Sequence, residues 1–116
     1  MRNIFERLCD IQDAIARLMK YTEEGRDRYD NDELVQTWII HNLYIIGEAL
    51  RAMASDFPTF KDQHPEIQWS KIIGLRTVIA HIYFNINLDT LWSVATEDLP
   101  ELNRCIDAIL EEDKEA

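Results

Sequence analysis

Glycine and proline are scarce in this chain, with three of each in 116 residues. An all-β fold needs frequent turns, which those residues supply, so the shortage argues against one. Long apolar runs are missing too. No stretch reaches the roughly 20 apolar residues of a membrane-spanning helix. The N-terminus, MRNIFERLCDIQDAI, is charged throughout and has no signal-like apolar segment. The expectation is a soluble cytoplasmic protein. Cysteine is limited to Cys9 and Cys105, near opposite ends of the chain. A metal pair would want local spacing, so the two read as buried free thiols, with a disulfide between them left open. There is no Gly-rich phosphate loop, no internal repeat and no low-complexity tract. Bases are outnumbered, 12 against 22 acids, for a formal net charge of −10. That is a poor match to a protein that grips long duplex nucleic acid through its phosphates. The acidity is uneven, with eight acids and two bases in residues 97–116. A cleft elsewhere can still be locally positive.

What is present is helical periodicity. Ile4, Leu8, Ile11, Ile15 and Leu18 recur at spacings of four and three, widened by Phe5 and Met19, which predicts a helix over 2–21. Arg7, Asp10, Asp13 and Arg17 mark its other face. Residues 22–30 read as a polar connection around Gly25, with Asp30 capping the next helix. That helix, 31–54, has a wide apolar face of Leu34, Val35, Trp38, Ile39, Leu43, Ile46, Leu50 and Met53, extended by Ile40 and Ile45. So broad a face suits a central helix, or one that shares a second face with another subunit. His41 reads as solvated or satisfied. Glu48 lies between Gly47 and Ala49, where small neighbours permit close packing, and could pair with Arg76. Pro58 and Pro65 break residues 55–68, leaving room for a single turn, with His64 solvated. Ser70 is the expected cap of the following helix, and Gly74 inside it costs stability unless something packs against it. Asn87 can cap a short helix over 88–97. Pro100 fits a first helical position capped by Asp98, and Cys105, Ile106, Ile109 and Leu110 continue the stripe. The whole, 1–116, reads as a single all-α domain, an up-and-down four-helix bundle with a broken last helix and a frayed acidic tail over 111–116.

The chemistry concentrates in residues 69–84, WSKIIGLRTVIAHIYF. At about 100° per residue, Arg76 and Tyr83 share one stripe of a helix, while Thr77 and His81 share the neighbouring one. A permanent cation, a group that titrates near neutrality and a phenol suit attack on a phosphate ester. A neutral imidazole can take a proton from a hydroxyl or return one to a leaving oxygen. A guanidinium fork matches phosphate oxygens and stabilises developing charge. The plainer reading of the same residues is a polar rim on the core.

Five blocks carry a resemblance: IIGEAL (45–50), HPEIQWSKIIGLR (64–76), AHIYF (80–84), LDTLW (88–92) and EDLPEL (97–102). In this order and spacing they resemble the HepT-like proteins of the HEPN superfamily, whose signature is Arg, four residues, His, one residue, Tyr. Here it is Arg76, His81 and Tyr83. The resemblance implies a homodimer whose signature helices meet and line one cleft. It implies a metal-independent endoribonuclease with no cofactor, acting as the toxin of a type VII HepT/MntA toxin–antitoxin system. It also implies a partner, an MntA-like minimal nucleotidyltransferase antitoxin that transfers AMP from ATP to the signature tyrosine, Tyr83. On that basis Arg76 and His81 are the expected catalytic residues. Thr77, Tyr83 and Glu48 are expected to bind RNA or assist, and Tyr83 to carry O-linked AMP.

Departures from the family pattern are Thr77, often asparagine, and Ile82 and Asn85, often glycine. Threonine lacks an amide's paired donor and acceptor. A β-branched Ile82 stiffens the backbone that presents Tyr83. These changes bear on rate and substrate access more than on fold. They keep a second reading open, a non-catalytic HEPN binding module that docks a nucleotidyltransferase or a nucleotide. A third is a purely structural helical dimer.

Overall fold

The computed structural model describes residues 3–81 and 87–115, with backbone alone for Thr77, Val78, Ala80, His81 and residues 113–115. Within the described residues the chain is all helix and turn, without a strand. Helix α1, Ile4–Thr22, starts where the Asn3 side chain accepts from the Glu6 N–H and returns a hydrogen bond to the Glu6 carboxylate. Its four-and-three spacing turns Leu8, Ile11, Ala14, Ile15 and Leu18 into the core. Phe5, by contrast, is exposed.

The polar connection predicted over 22–30 is partly helical. A short α2, Arg26–Asn31, follows Gly25, which takes φ +96°, a left-handed conformation that favours glycine. Arg26 is the reason this turn is fastened. It pairs with Asp30 at 2.8 Å and with Asp89, and its guanidinium lies over the Tyr29 and Trp92 rings. Tyr29 is fully buried and donates to the Leu88 carbonyl at 2.8 Å. With Asp30 held by Arg26, the cap of the next helix is Asp32 and not Asp30. Asp32 is extended (φ −126°, ψ 105°), and its carboxylate accepts from the N–H groups of Leu34 and Val35.

Helix α3, Glu33–Asp56, is the centre of the bundle and packs on α1 and on α5, Trp69–His81. Its inward residues Val35, Ile39, Leu43, Ile46, Leu50 and Met53 are buried. Leu34 and Trp38, expected inward with them, point away from the core, 81% and 38% exposed. The broad apolar face is therefore two faces, one of them left exposed at Leu34 and Trp38. Asn42 is buried on the α1 side and links Arg17 Nε (3.1 Å) to the Trp38 carbonyl (2.9 Å).

The predicted break holds one short helix, α4, Pro58–Gln63, opening with proline at its first position. His64 is half-buried against Phe60 and paired with Glu66 at 2.9 Å, so it is not the solvated loop residue expected. Its carbonyl accepts from the Trp69 indole at 2.9 Å, which fixes the start of α5. Because α5 begins at Trp69, Ser70 lies inside the first turn and is not the cap.

Asn87 caps α6, Leu88–Ser93, by accepting from the Thr90 N–H, as expected. The break before Pro100 is a π-helical turn, Val94–Asp98, running directly into α7, Leu99–Glu115. The Leu99 N–H donates to the Val94 carbonyl, five residues back. A regular α-helix would press the Pro100 ring on the carbonyl four residues earlier, and the wider turn relieves that. Asp98 consequently caps nothing; it pairs with Lys71 of α5 at 2.7 Å. Cys9 is exposed and Cys105 partly so, both free thiols, which corrects the buried reading of the pair. Helices α1, α3, α5 and the α6–α7 arm are the four members of an up-and-down bundle, with Leu99, Leu102 and Ile106 closing its core.

Candidate active site

Close approach of α3 and α5 builds the site. A methyl group placed on Gly47 would lie 3.0 Å from the Arg76 Cβ and 3.0 Å from the Ile72 carbonyl oxygen. Only a residue without a side chain lets these two backbones come so near. The next residue on α3, Glu48, then faces Arg76, with Oε2 3.3 Å from Nε. That contact is an ion pair without hydrogen-bond alignment. Both atoms are buried and neither has a hydrogen-bond partner among the described residues. The arginine side chain as a whole is 26% exposed, so its guanidinium is anchored but reachable.

The other oxygen of Glu48 is held more firmly. Arg51, three residues on, donates to Oε1 from Nη2 at 2.7 Å and from Nε at 3.0 Å. These bonds are the main reason the Glu48 carboxyl sits below the usual carboxylate range; the charges of Arg51, Arg76 and Arg7 add to the effect, and burial opposes it. Glu48 is thus an anion at neutral pH, in contact with Arg51 of its own helix and Arg76 of α5, and acted on by the charge of Arg7 on α1.

Sequence-predicted residues are only partly brought together here. Arg76 and Glu48 meet, as the small-residue neighbourhood of Gly47 suggested. His81 and Thr77 are on α5, with His81 five residues beyond Arg76, which is about 7.5 Å along the axis. Tyr83, Ile82 and Asn85 lie outside the described residues. Beside this part of α5 runs a groove of about 220 Å³ lined by Thr37, Ile40, His41, Tyr44 and Ile79. His41 is exposed there and stacks on Trp38 with ring centroids 5.7 Å apart. Two residues were not anticipated: Arg51, whose three-residue spacing from Glu48 was a visible signal, and Arg7. The side of α1 that carries Arg7 was read only as a polar face. Among the described residues no group of His, Cys, Asp and Glu is placed to hold a metal ion.

Residues 11–109 match the family described as Ribonuclease HepT-like. The chain belongs to the HepT-like family of the HEPN superfamily. A protein of Thermococcus cleftensis, provisionally named ribonuclease HepT, is 35% identical over 96 residues, covering 82% of this chain and 84% of its own. One of Methanocaldococcus jannaschii, provisionally named an RNase, is 28% identical over 109 residues, 93% of this chain and 97% of its own. Another with a provisional RNase name, from Caldanaerobacter subterraneus subsp. tengcongensis, is 29% identical over 83 residues, 72% and 71% of the two chains. No solved structure gives a significant match. The HepT-like match spans α3, α5 and the π turn, so the Gly47–Glu48–Arg76 contact lies inside the family region. No described helix is long and apolar enough to cross a membrane.

Proposed function

We propose that this HepT-like chain is a metal-independent endoribonuclease, the toxin of a type VII toxin–antitoxin pair acting in the cytoplasm. The observation that carries the reading is Arg76 anchored on α5 beside Glu48, five residues before His81, in a chain of a ribonuclease family. RNA supplies its own nucleophile. His81 takes the proton of a 2′-hydroxyl, whose oxygen attacks the adjacent phosphorus. Arg76 stabilises the charge that builds on the phosphorane oxygens. The bond from phosphorus to the 5′-oxygen breaks, and that oxygen receives a proton, leaving a 2′,3′-cyclic phosphate and a 5′-hydroxyl. Proton transfer of this kind is worth about 10²–10⁴ in rate.

A homodimer supplies two copies of the set, so that one His81 accepts while the other donates. Leu34 and Trp38, exposed on α3, give the protein apolar surface to spend on such a contact. An MntA-like nucleotidyltransferase would silence the toxin by adding AMP to Tyr83. The added phosphate charge and bulk then compete with RNA for Arg76. On this reading residues 1–116 act as one domain and need no cofactor.

The test is RNA cleavage in EDTA by the purified protein and by His81→Ala, with end-group analysis. Cutting that disappears in a folded His81→Ala dimer is the expected result; undiminished cutting by that variant rules the mechanism out. A second reading, a binding module that docks the nucleotidyltransferase without cleaving, is favoured by Arg76 being already ion-paired to Glu48. Partner binding by an unmodified dimer with no cleavage would select it.

A further inference from the structure

The cluster around Glu48 has more positive charge than its carboxylate can satisfy. Arg51 spends Nη2 and Nε on Oε1, and Arg76 approaches Oε2 without making a hydrogen bond. Arg7, on α1, has a buried Nε with no hydrogen-bond partner among the described residues. Its charge also acts on the Glu48 carboxylate. Three guanidiniums act on this one carboxylate, and Asp56 adds a second negative charge acting on Arg51, so cations still outnumber anions here in a chain whose net charge is −10. Each guanidinium has five N–H donors, while one carboxylate has about four acceptor positions. Like charges so placed repel unless an anion joins them. The side chains of Arg51, Glu48 and Arg76 are 44%, 40% and 26% exposed, so an anion can reach the cluster from solvent.

We propose that Arg7, Arg51 and Arg76 form a three-guanidinium cradle for a phosphodiester of single-stranded RNA, with Glu48 as the internal counter-ion that the phosphate displaces. The proposal rests on the ribonuclease reading for the identity of the ligand. Guanidinium forks pair with phosphate oxygens in two-point contacts, and Arg51 on α3 and Arg76 on α5, both already against Glu48, would grip such a group from two helices, with the charge of Arg7 on α1 adding attraction. A single strand fits better than a duplex, because a duplex would bring many phosphates onto an acidic surface. Arg7 and Arg51 are positioning residues in this scheme. They hold the backbone so that the phosphate beside Arg76 is in register, and they take no part in proton transfer.

The experiment is binding of a short 2′-O-methyl oligoribonucleotide, which cannot be cleaved, across a salt series. Arg7→Gln and Arg51→Gln should each weaken binding by about tenfold and reduce the salt slope by about 0.7, the value for one phosphate contact on a single strand. Glu48→Gln should bind more tightly, since it removes the competing anion. Arg104→Gln, a change on the exposed part of α7, should leave affinity and slope as they are. Should Arg7→Gln fail to fold, the Nε–Hε signals of Arg7 and Arg51 in the unaltered protein must still move during titration. Wild-type affinity in both arginine variants, an equal loss in Arg104→Gln, or arginine signals that stay in place would overturn the cradle. Weaker binding by Glu48→Gln would overturn its counter-ion role. Cradle-dependent binding by a protein that cuts no RNA would remove the ribonuclease reading and leave the cradle standing.

Discussion

Gly47→Ala and Gly74→Ala are the same chemical change in neighbouring helices, and the structure assigns them opposite signs. Alanine is the better helix residue by about 0.8–1.0 kcal/mol in a helix interior, so each variant begins with that gain. At Gly74 nothing lies within 4 Å of the added methyl group, and the full gain should appear. At Gly47 the methyl group would meet Arg76 Cβ and the Ile72 carbonyl oxygen, both at 3.0 Å. Neither is the free end of a flexible side chain. Helices α3 and α5 must separate by a few tenths of an ångström, and overpacking of this kind costs about 1–3 kcal/mol. The net is a loss of about 1 kcal/mol at Gly47 against a gain of about 1 kcal/mol at Gly74. For 116 residues, 1 kcal/mol shifts Tm by about 4 °C, so the two variants should differ by about 8 °C. Thermal unfolding followed by circular dichroism at one fixed protein concentration reads this directly. Separation of the helices should also loosen the Glu48–Arg76 pair, so on the proposed ribonuclease function Gly47→Ala should lose cleavage activity beyond its loss of stability. If Gly47→Ala proves as stabilising as Gly74→Ala, the close approach of α3 to α5 is not what positions Arg76.

Two further outcomes concern the frame of the site. Asn42→Ala leaves Arg17 without its acceptor in the core and should cost about 1–3 kcal/mol in urea unfolding; unchanged stability would mean that Arg17 finds another partner. Tyr29, buried with its hydroxyl on the Leu88 carbonyl, has its pKa pushed up to about 12 by burial. An unfolded tyrosine ionises near 10. The folded state therefore keeps a proton that the unfolded state loses, and stability should be level below pH ~10 and fall as pH rises through 10 to 12. Tyr29→Phe should flatten that part of the curve, and an equally steep fall in the variant would assign it to other groups.

The core was legible in the sequence because helix burial repeats every three to four residues and is written along one segment at a time. Leu8, Ile11, Ile15 and Leu18 declare the buried stripe of α1 without reference to anything else. The same holds for the α3 residues from Val35 to Met53, and for the Asn87 cap. The Arg76–His81–Tyr83 spacing and the blocks that accompany it are also local, which is why the family could be recognised before any packing was known. Glu48 was a marginal case: Gly47 signalled close approach, but only the packing of α3 on α5 shows that Arg76 is what approaches.

Failures of the sequence reading share one cause. A capping residue, a charged residue or an exposed leucine takes its role from a partner distant in sequence, and periodicity contains no partners. Asp30 was assigned as a cap because its spacing allowed it, yet Arg26 holds it, and Asp32 does the capping. Asp98 was assigned likewise, and Lys71 of α5 claims it. Leu34 and Trp38 fit the apolar pattern of α3 and still face outward, because α1 and α5 cover only the other sides. Arg7 could not be connected with Glu48 from spacing at all, since some forty residues separate them. The sequence by itself determined the helices, the buried stripes and the chemical identity of the signature. The tertiary structure decided which charges converge on Glu48, because electrostatic partnership depends on distance in space and not along the chain.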